Sequence, residues 1–431
     1  MRISNWIRTC TLLGGWVFVI GLFAPRAVAA VDSLKGTVMC GYQGWFAAEG
    51  DGAGVGWHHY GFGKPGECHI DLWPDLSGFP AEERFPTPLR MADGAVAEVF
   101  SSAKAATVRR HFDWMKESGI DGIFLQRFGV SIRGGKHTQF TDAVMENVRA
   151  ASRGTERTWA VMYDLSGLRG GEVAQVVKDD WRRLRRDRKV TEDPFYQKHG
   201  GKPVVAVWGV GFNDDRGYSL DETAALLKYL REEEGGACVM AGVPFGWRTG
   251  TRDAVEAGPL LEVLEKNVDI VSPWSVGRYG RVDDARRQIA ELQAPDAAWC
   301  GERGKSYLPV IFPGFSWNNL MRSRGKEVAL NGIPRLKGQF FWEQAMARVK
   351  AGADMLYVAM FDEVDEGTAI FKCTDRVPGA TPAAAGETGG MLQFATYEGL
   401  PSDHYLWLTG RIRQVLRGEM PVAEALPERV K

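Results

Sequence analysis

The 431-residue chain is poor in cysteine, with six, and it contains no C-x-x-C or H-E-x-x-H spacing. Those gaps exclude a disulfide-built scaffold and the standard zinc frames. Neither sign of charge is in excess, with 53 Lys+Arg against 54 Asp+Glu. A basic surface for nucleic acid is therefore not indicated. After Ala24 no apolar run approaches the ~18 residues of a membrane-spanning helix. No G-x-G-x-x-G opens a helix after an early strand, so a nucleotide-binding doubly wound sheet lacks its usual turn.

What is present is a globular balance, 45% hydrophobic and 25% charged, with 15 Trp, 52 Gly and 20 Pro. Many Trp with many Gly suggests aromatic faces displayed on loops as well as a Trp-rich core. The first residues read as a targeting segment: Arg2 and Arg8, an apolar run from Cys10 to Ala24, then Ala27-Val28-Ala29 as a small-residue cleavage site. The expectation is a secretory signal over 1–30, with an uncleaved anchor as the alternative. The product would be a mildly acidic, exported protein without stable membrane insertion. Cys10 leaves with the signal. Cys40, Cys68, Cys238, Cys300 and Cys373 remain, an odd number, so one or two bridges fit and at least one thiol stays unpaired.

The rest of the chain alternates short apolar runs with helical patterns. The runs are Thr37–Tyr42, Gly122–Arg127, Trp159–Asp164, Pro203–Trp208, Cys238–Gly242, Val268–Trp274, Leu308–Pro313 and Asp354–Phe361. Helices are expected near Ala103–Ser118, Phe140–Ala151, Gly171–Arg186, Leu220–Glu234, Leu260–Lys266, Asp283–Leu292 and Gln339–Ala351. A last helix is expected after Ser402 or Asp403 as N-cap. Strands without alternation are buried on both faces, as parallel strands under helices are. Eight of them predict a (β/α)8 TIM barrel, with an open doubly wound sheet as the alternative. No linker divides residues 31–431, so one domain is expected, with Val377–Gly390 as a surface loop. The first βα loop, Gly41 to about Ser102, is long and aromatic, and loops of that length are usually functional.

In such a barrel the strand C-termini build the active site. Those positions hold Tyr42, Trp45, Gln126, Arg127, Tyr163, Asp164, Trp208, Trp247, Trp274, Arg278, Trp317 and Asn318. Aromatics, amides, carboxylates and arginines suit a sugar: ring faces cover pyranose faces and polar groups take hydroxyls. A buried Arg127 must pair with a carboxylate or face the cleft, and the cleft is the expectation. His404 could reach the pocket from the last helix, or serve as a surface cap. His58, His59, His69 and Asp71 fit no standard metal frame, so no metal or cofactor is called for. The densest chemistry is Asp362-Glu363-Val364-Asp365-Glu366-Gly367-Thr368 after the last strand. Paired carboxyls flanking one bond are what glycoside cleavage needs, and crowding pushes their pKa values apart.

Glu363-x-x-Glu366-Gly367-Thr368 resembles the E-x-x-E-G-T signature of family 99 glycoside hydrolases, the endo-α-mannosidases and endomannanases. It also resembles the acid-x-x-Glu pattern of family 71 α-1,3-glucanases. Gly41-Tyr42-Gln43-Gly44-Trp45-Phe46, with Trp57-His58-His59, is similar to the aromatic first loop of that group, part of which is labelled xylosidase or arabinosidase. The resemblance implies Glu366 as general acid/base and Glu363 as the base for the sugar 2-hydroxyl. An oligo- or polysaccharide substrate is implied with them. Asp362, Val364 and Asp365 depart from the family 99 pattern of Asn, an aromatic and His, and Asp164 stands where that family carries Glu. A carbohydrate-binding protein that has lost catalysis is the alternative. Oligomeric state is not fixed by the sequence.

Overall fold

A computed structural model describes residues 32–379 and 391–429. The expected signal segment, and residues 380–390 of the expected surface loop, lie outside the described residues.

Eight parallel strands form the centre: β1 Val38–Tyr42, β2 Gly122–Phe128, β3 Thr158–Asp164, β4 Lys202–Trp208, β5 Cys238–Val243, β6 Ile270–Pro273, β7 in two pieces, Ser306–Tyr307 and Val310–Ile311, and β8 Leu356–Val358. Each pairs with its sequence neighbour, and β1 pairs with both β2 and β8. The ring closes through β7. Its first piece pairs Ser306 with Ile270, and its second pairs Val310 with Tyr357. The break at Leu308-Pro309 lets one short strand serve two neighbours, because Pro cannot donate to a ladder. The barrel reading holds, and the open sheet does not.

Helices cover the outside: α1 Ala105–Ser118, α2 Gly135–Thr155, α3 Glu172–Arg186, α4 Leu220–Glu232, α5 Ala257–Asn267, α6 Val282–Glu302, α7 Asn318–Ser323, α8 Gln339–Lys350 and α9 His404–Leu416. Ser219 and Glu222 close a capping box at the start of α4, which satisfies two orphan amides. α6 runs past its expected end and through Pro295. Its buried face, Ala285, Ile289, Gln293, Asp296 and Cys300, keeps the helical period across the proline, so packing overrides the lost hydrogen bond. Asp403 is the N-cap residue of α9, but its side chain makes no capping hydrogen bond; its carboxylate takes Arg429 at 2.8 Å instead. The first βα loop holds an unforeseen antiparallel hairpin, Phe85–Arg90 with Val96–Val99. The five described cysteines are buried free thiols. No described helix is long and apolar enough to cross a membrane.

Side chains alternate across each barrel strand. Gln126 points inward, where its amide meets Tyr357 Oη at 3.4 Å. Its neighbour Arg127 therefore points outward and is fully buried under the helices. Arg127 grips Asp180 of α3 at 2.7 and 2.9 Å and Asp142 of α2 at 3.0 Å. Tyr163 of β3 donates to the same Asp180 at 2.9 Å, and Arg183 joins both acids. This network locks two strands to two helices and corrects the expectation that Arg127 faces the cleft. Removing one partner from a buried ionic network costs about 3–5 kcal/mol. Arg127→Leu is expected to lower unfolding stability in urea by about that amount. A loss under about 1 kcal/mol would contradict the assignment.

Candidate functional site

A cleft of about 670 Å³ opens over the C-terminal ends of the strands. Its lining comes from nearly every side of the barrel: Gln43 and Trp45 after β1, Gln126 and Phe128 on β2, Asp164 and Ser166 from β3, Trp208 on β4 and Trp274 after β6. Arg324 follows α7, and Met360, Glu363, Asp365 and Glu366 follow β8. The first loop adds Trp57, His58, His59 and His69.

The chain after β8 is folded tightly back on itself. The Glu363 carbonyl accepts the amides of Thr368 at 3.1 Å and Ala369 at 2.9 Å. Gly367 makes this turn possible: its φ is +60°, and a Cβ there would meet Ser316 backbone atoms at 2.9–3.0 Å. Arg335 spans the turn from outside, donating to the carbonyls of Gly367 and Ala369 at 2.7 Å each. Asp362 points away from the cleft and accepts the amides of Gln43 at 2.7 Å and Gly44 at 2.9 Å. It thus fixes the β1 loop that delivers Gln43.

The two glutamates differ in their partners. Glu363 accepts from Gln43 Nε2 on one oxygen and from Thr368 Oγ1 on the other. No described side chain hydrogen-bonds to Glu366, which faces the cleft. Burial, reinforced by Glu366 and Asp365, pushes the Glu363 carboxyl well above its ordinary range. Burial and the Asp365 charge raise Glu366 to about 7. Burial raises Asp365 and Asp362 to about 7 as well, and Asp164 to about 6. Asp365 meets His59 Nδ1 at 3.0 Å. Burial, then the nearby His69 and Arg324 charges, lowers His59 to about 3 and keeps its imidazole neutral.

The aromatic walls are only partly those expected from sequence. Trp208 and Trp274 meet edge to face at 5.6 Å and line one wall, with the Arg216 guanidinium 4.8 Å over Trp208. Trp45 lines the other wall, but one of its faces is covered by His59, stacked at 3.6 Å. Tyr42 is fully buried outside the barrel, bonded to His111 of α1 at 2.9 Å. Trp247 is buried against Asp296 at 3.2 Å. Arg278 pairs with Asp253, Trp317 packs on Phe315 at 5.1 Å, and His404 packs on Trp407 at 5.6 Å. None of these five lines the cleft. Asp71 is fully buried and holds the start of α7, accepting from Ser316 Oγ at 2.6 Å and the amides of Asn318 and Asn319 at 2.7 and 2.8 Å. Of the residues singled out from sequence, Glu363, Glu366, Asp164, Trp45, Trp208 and Trp274 line the cleft. Sequence reading missed Gln43, for which adjacency to β1 is a signal, and Arg324, for which there is none.

No protein-family model and no curated protein matches the chain. Solved structures do. The family 99 endo-α-mannosidase of Bacteroides thetaiotaomicron, complexed with bis-tris propane, superposes with a TM-score of 0.61 at 14% identity, covering 90% of this chain and 99% of that one. The same enzyme without that ligand gives 0.58 at 13% identity, with 90% and 99% covered. A glycoside hydrolase-like protein gives 0.54 at 14% identity over 91% and 96%. At these identities the likeness establishes the fold, a (β/α)8 barrel of the kind those proteins share.

The carboxyl cluster also sets a pH dependence. Folded pKa values near 7 for Asp362, Asp365 and Glu366 lie above unfolded values of about 4. The stability each contributes is complete below its unfolded value and is lost as pH rises through about 7. Urea midpoints are expected to fall as pH rises from about 4 to about 7. Glu366→Gln should flatten the fall by about 1.4 kcal/mol per pH unit over that window. An identical pH slope in the variant would contradict it.

Proposed function

We propose that the protein is an exported glycoside hydrolase that cleaves α-linked oligo- or polysaccharides with Glu366 as general acid/base and Glu363 as partner base. The observation that supports this best is the unequal setting of the two glutamates in one cleft. Two like charges this close do not ionise together. Burial raises both carboxyls, and the Gln43 and Thr368 side chains oppose that rise at Glu363 alone; with these donors, the anion is assigned to Glu363 and the proton to Glu366. That distribution is the one glycosidic cleavage requires.

In the first step Glu366 gives its proton to the glycosidic oxygen as the bond from that oxygen to C1 breaks. Glu363 takes the proton of the 2-hydroxyl, and the freed oxygen closes on C1 to give a 1,2-anhydro sugar. In the second step Glu366, now a carboxylate, takes a proton from water as the water oxygen attacks C1. The three-membered ring opens, and Glu363 returns the proton to the 2-oxygen. The stereochemistry at C1 is retained and no protein nucleophile is used, as the family 99 resemblance implies. Trp208 and Trp274 supply the ring faces, and Asp164 and Gln126 reach hydroxyls.

Glu366→Gln is expected to lower turnover by about 10²–10⁴-fold or more, the size of general acid–base assistance. Glu363→Gln should fall comparably, while sugar binding survives both changes. A 2-deoxy substrate should be refractory. If it is cleaved almost as well as its parent, Glu363 acts on water instead. Near wild-type turnover by both Gln variants would refute the assignment of the pair, and no turnover by the wild-type chain on α-mannan, α-1,3-glucan and aryl glycosides would leave a binding protein. Export is checked by N-terminal sequencing, with Ala30 or Val31 expected first; Met1 recovered from membranes would contradict cleavage.

A further inference from the structure

Three cleft residues have no part in the glutamate chemistry: Arg324, His59 and His69. Arg324 is exposed at the end of α7, with its backbone amide on the Met321 carbonyl at 3.0 Å. No described residue hydrogen-bonds or ion-pairs with its guanidinium. The platform beneath it is fixed. Asp71 holds the start of α7 through three hydrogen bonds. The Ser316 amide donates to the Glu366 carbonyl at 2.9 Å, which ties the same segment to the glutamate turn. Arg324 is therefore held at the cleft next to the reacting centre.

The two imidazoles complete a wall of nitrogen. His59 uses Nδ1 on Asp365 at 3.0 Å, and His69 uses Nε2 on Glu67 at 3.1 Å. No described residue hydrogen-bonds to the other nitrogen of either ring, and both residues line the cleft. A neutral sugar needs ring faces and uncharged donors, which the Trp208–Trp274 wall already provides. A guanidinium left without a carboxylate matches an oxyanion, which it binds with two parallel N–H bonds. The Arg324 charge lowers Asp365 and Glu366 against the burial that raises them, which places it within electrostatic reach of both acids, but neither carboxyl forms an ion pair with it.

We propose that Arg324, flanked by His59 and His69, is a subsite for an oxyanion on the bound sugar, either a uronate carboxylate or a sulfate ester. This rests on the glycoside-hydrolase reading of the same cleft and narrows its substrate to acidic glycans.

The test uses the full mature chain carrying Glu366→Gln, titrated by ligand-observed NMR. The probes are glucose, mannose and galactose, their hexuronic acids and their 6-sulfates. At least one acidic form is expected to bind about tenfold or more tighter than its neutral parent, with the preference shrinking as salt rises. The tighter of the two acidic series identifies the group as carboxylate or sulfate. Arg324→Gln should abolish the preference, and Arg324→Lys should keep part of it. Equal binding of neutral and acidic sugars would overturn the subsite, as would a preference unchanged in Arg324→Gln. A parallel hydrolysis panel with the wild-type chain separates the two readings. Cleavage of neutral glycans alone would leave the hydrolase standing and refute the subsite, and cleavage of neither class would refute the hydrolase.

Discussion

Four carboxyl groups within five residues, three of them buried and the fourth half-buried at the cleft, are the constraint around which the upper rim of this barrel is organised. Burying a charge without compensation costs several kcal/mol, and the rim answers for each acid differently. Asp362 is met by two backbone amides of the first loop. Glu363 is met by an amide and a hydroxyl, and Asp365 by an imidazole. Glu366 has no comparable partner and faces the cleft. A set of carboxyls that cannot all ionise must share protons, and the donors of Gln43 and Thr368 oppose the burial that raises Glu363 while Glu366 has none. The cost carried by the fold is thus the same feature that would prepare an acid beside a base.

The same rim explains why distant segments meet. Asp71 lies in the first loop, yet its carboxylate fixes α7 after β7, and its amide donates to the Val364 carbonyl at 2.9 Å. Gln43 and Gly44 are held by Asp362 after β8. The first loop is therefore a structural part of the turn after β8. It carries the histidines and Trp45 on a frame fixed from both sides. A loop so anchored can position side chains with little ordering left to do on binding.

The barrel was legible in the sequence because eight β-rich runs alternate with helical periods. The Glu363–Glu366 turn was legible because so many acids rarely end a buried strand. Which side chains face the cleft was not legible at several strand ends, and the reason is physical. A strand buried on both faces carries no polar alternation, so nothing in Leu125-Gln126-Arg127 or Gly41-Tyr42-Gln43 tells inward from outward. Arg127 and Tyr42, expected at the cleft, point outward, and Gln126 and Gln43 are the residues that reach it. Arg278, Trp317 and His404 lie on connecting segments, where strand geometry no longer dictates direction. Arg324 directly follows a six-residue helix whose placement depends on Asp71, which contacts Asn318 from 247 positions away.

The division of one proton between Glu363 and Glu366 is the claim on which the mechanism stands. Titration of ¹³C-labelled carboxyl groups by NMR, in the wild-type chain and in Glu366→Gln, reads it directly. A resonance titrating near neutral pH and missing from the variant is the predicted result, with Glu363 ionising at lower pH once Glu366 can no longer carry charge. Ordinary titration of every Asp and Glu below about pH 5 would contradict it.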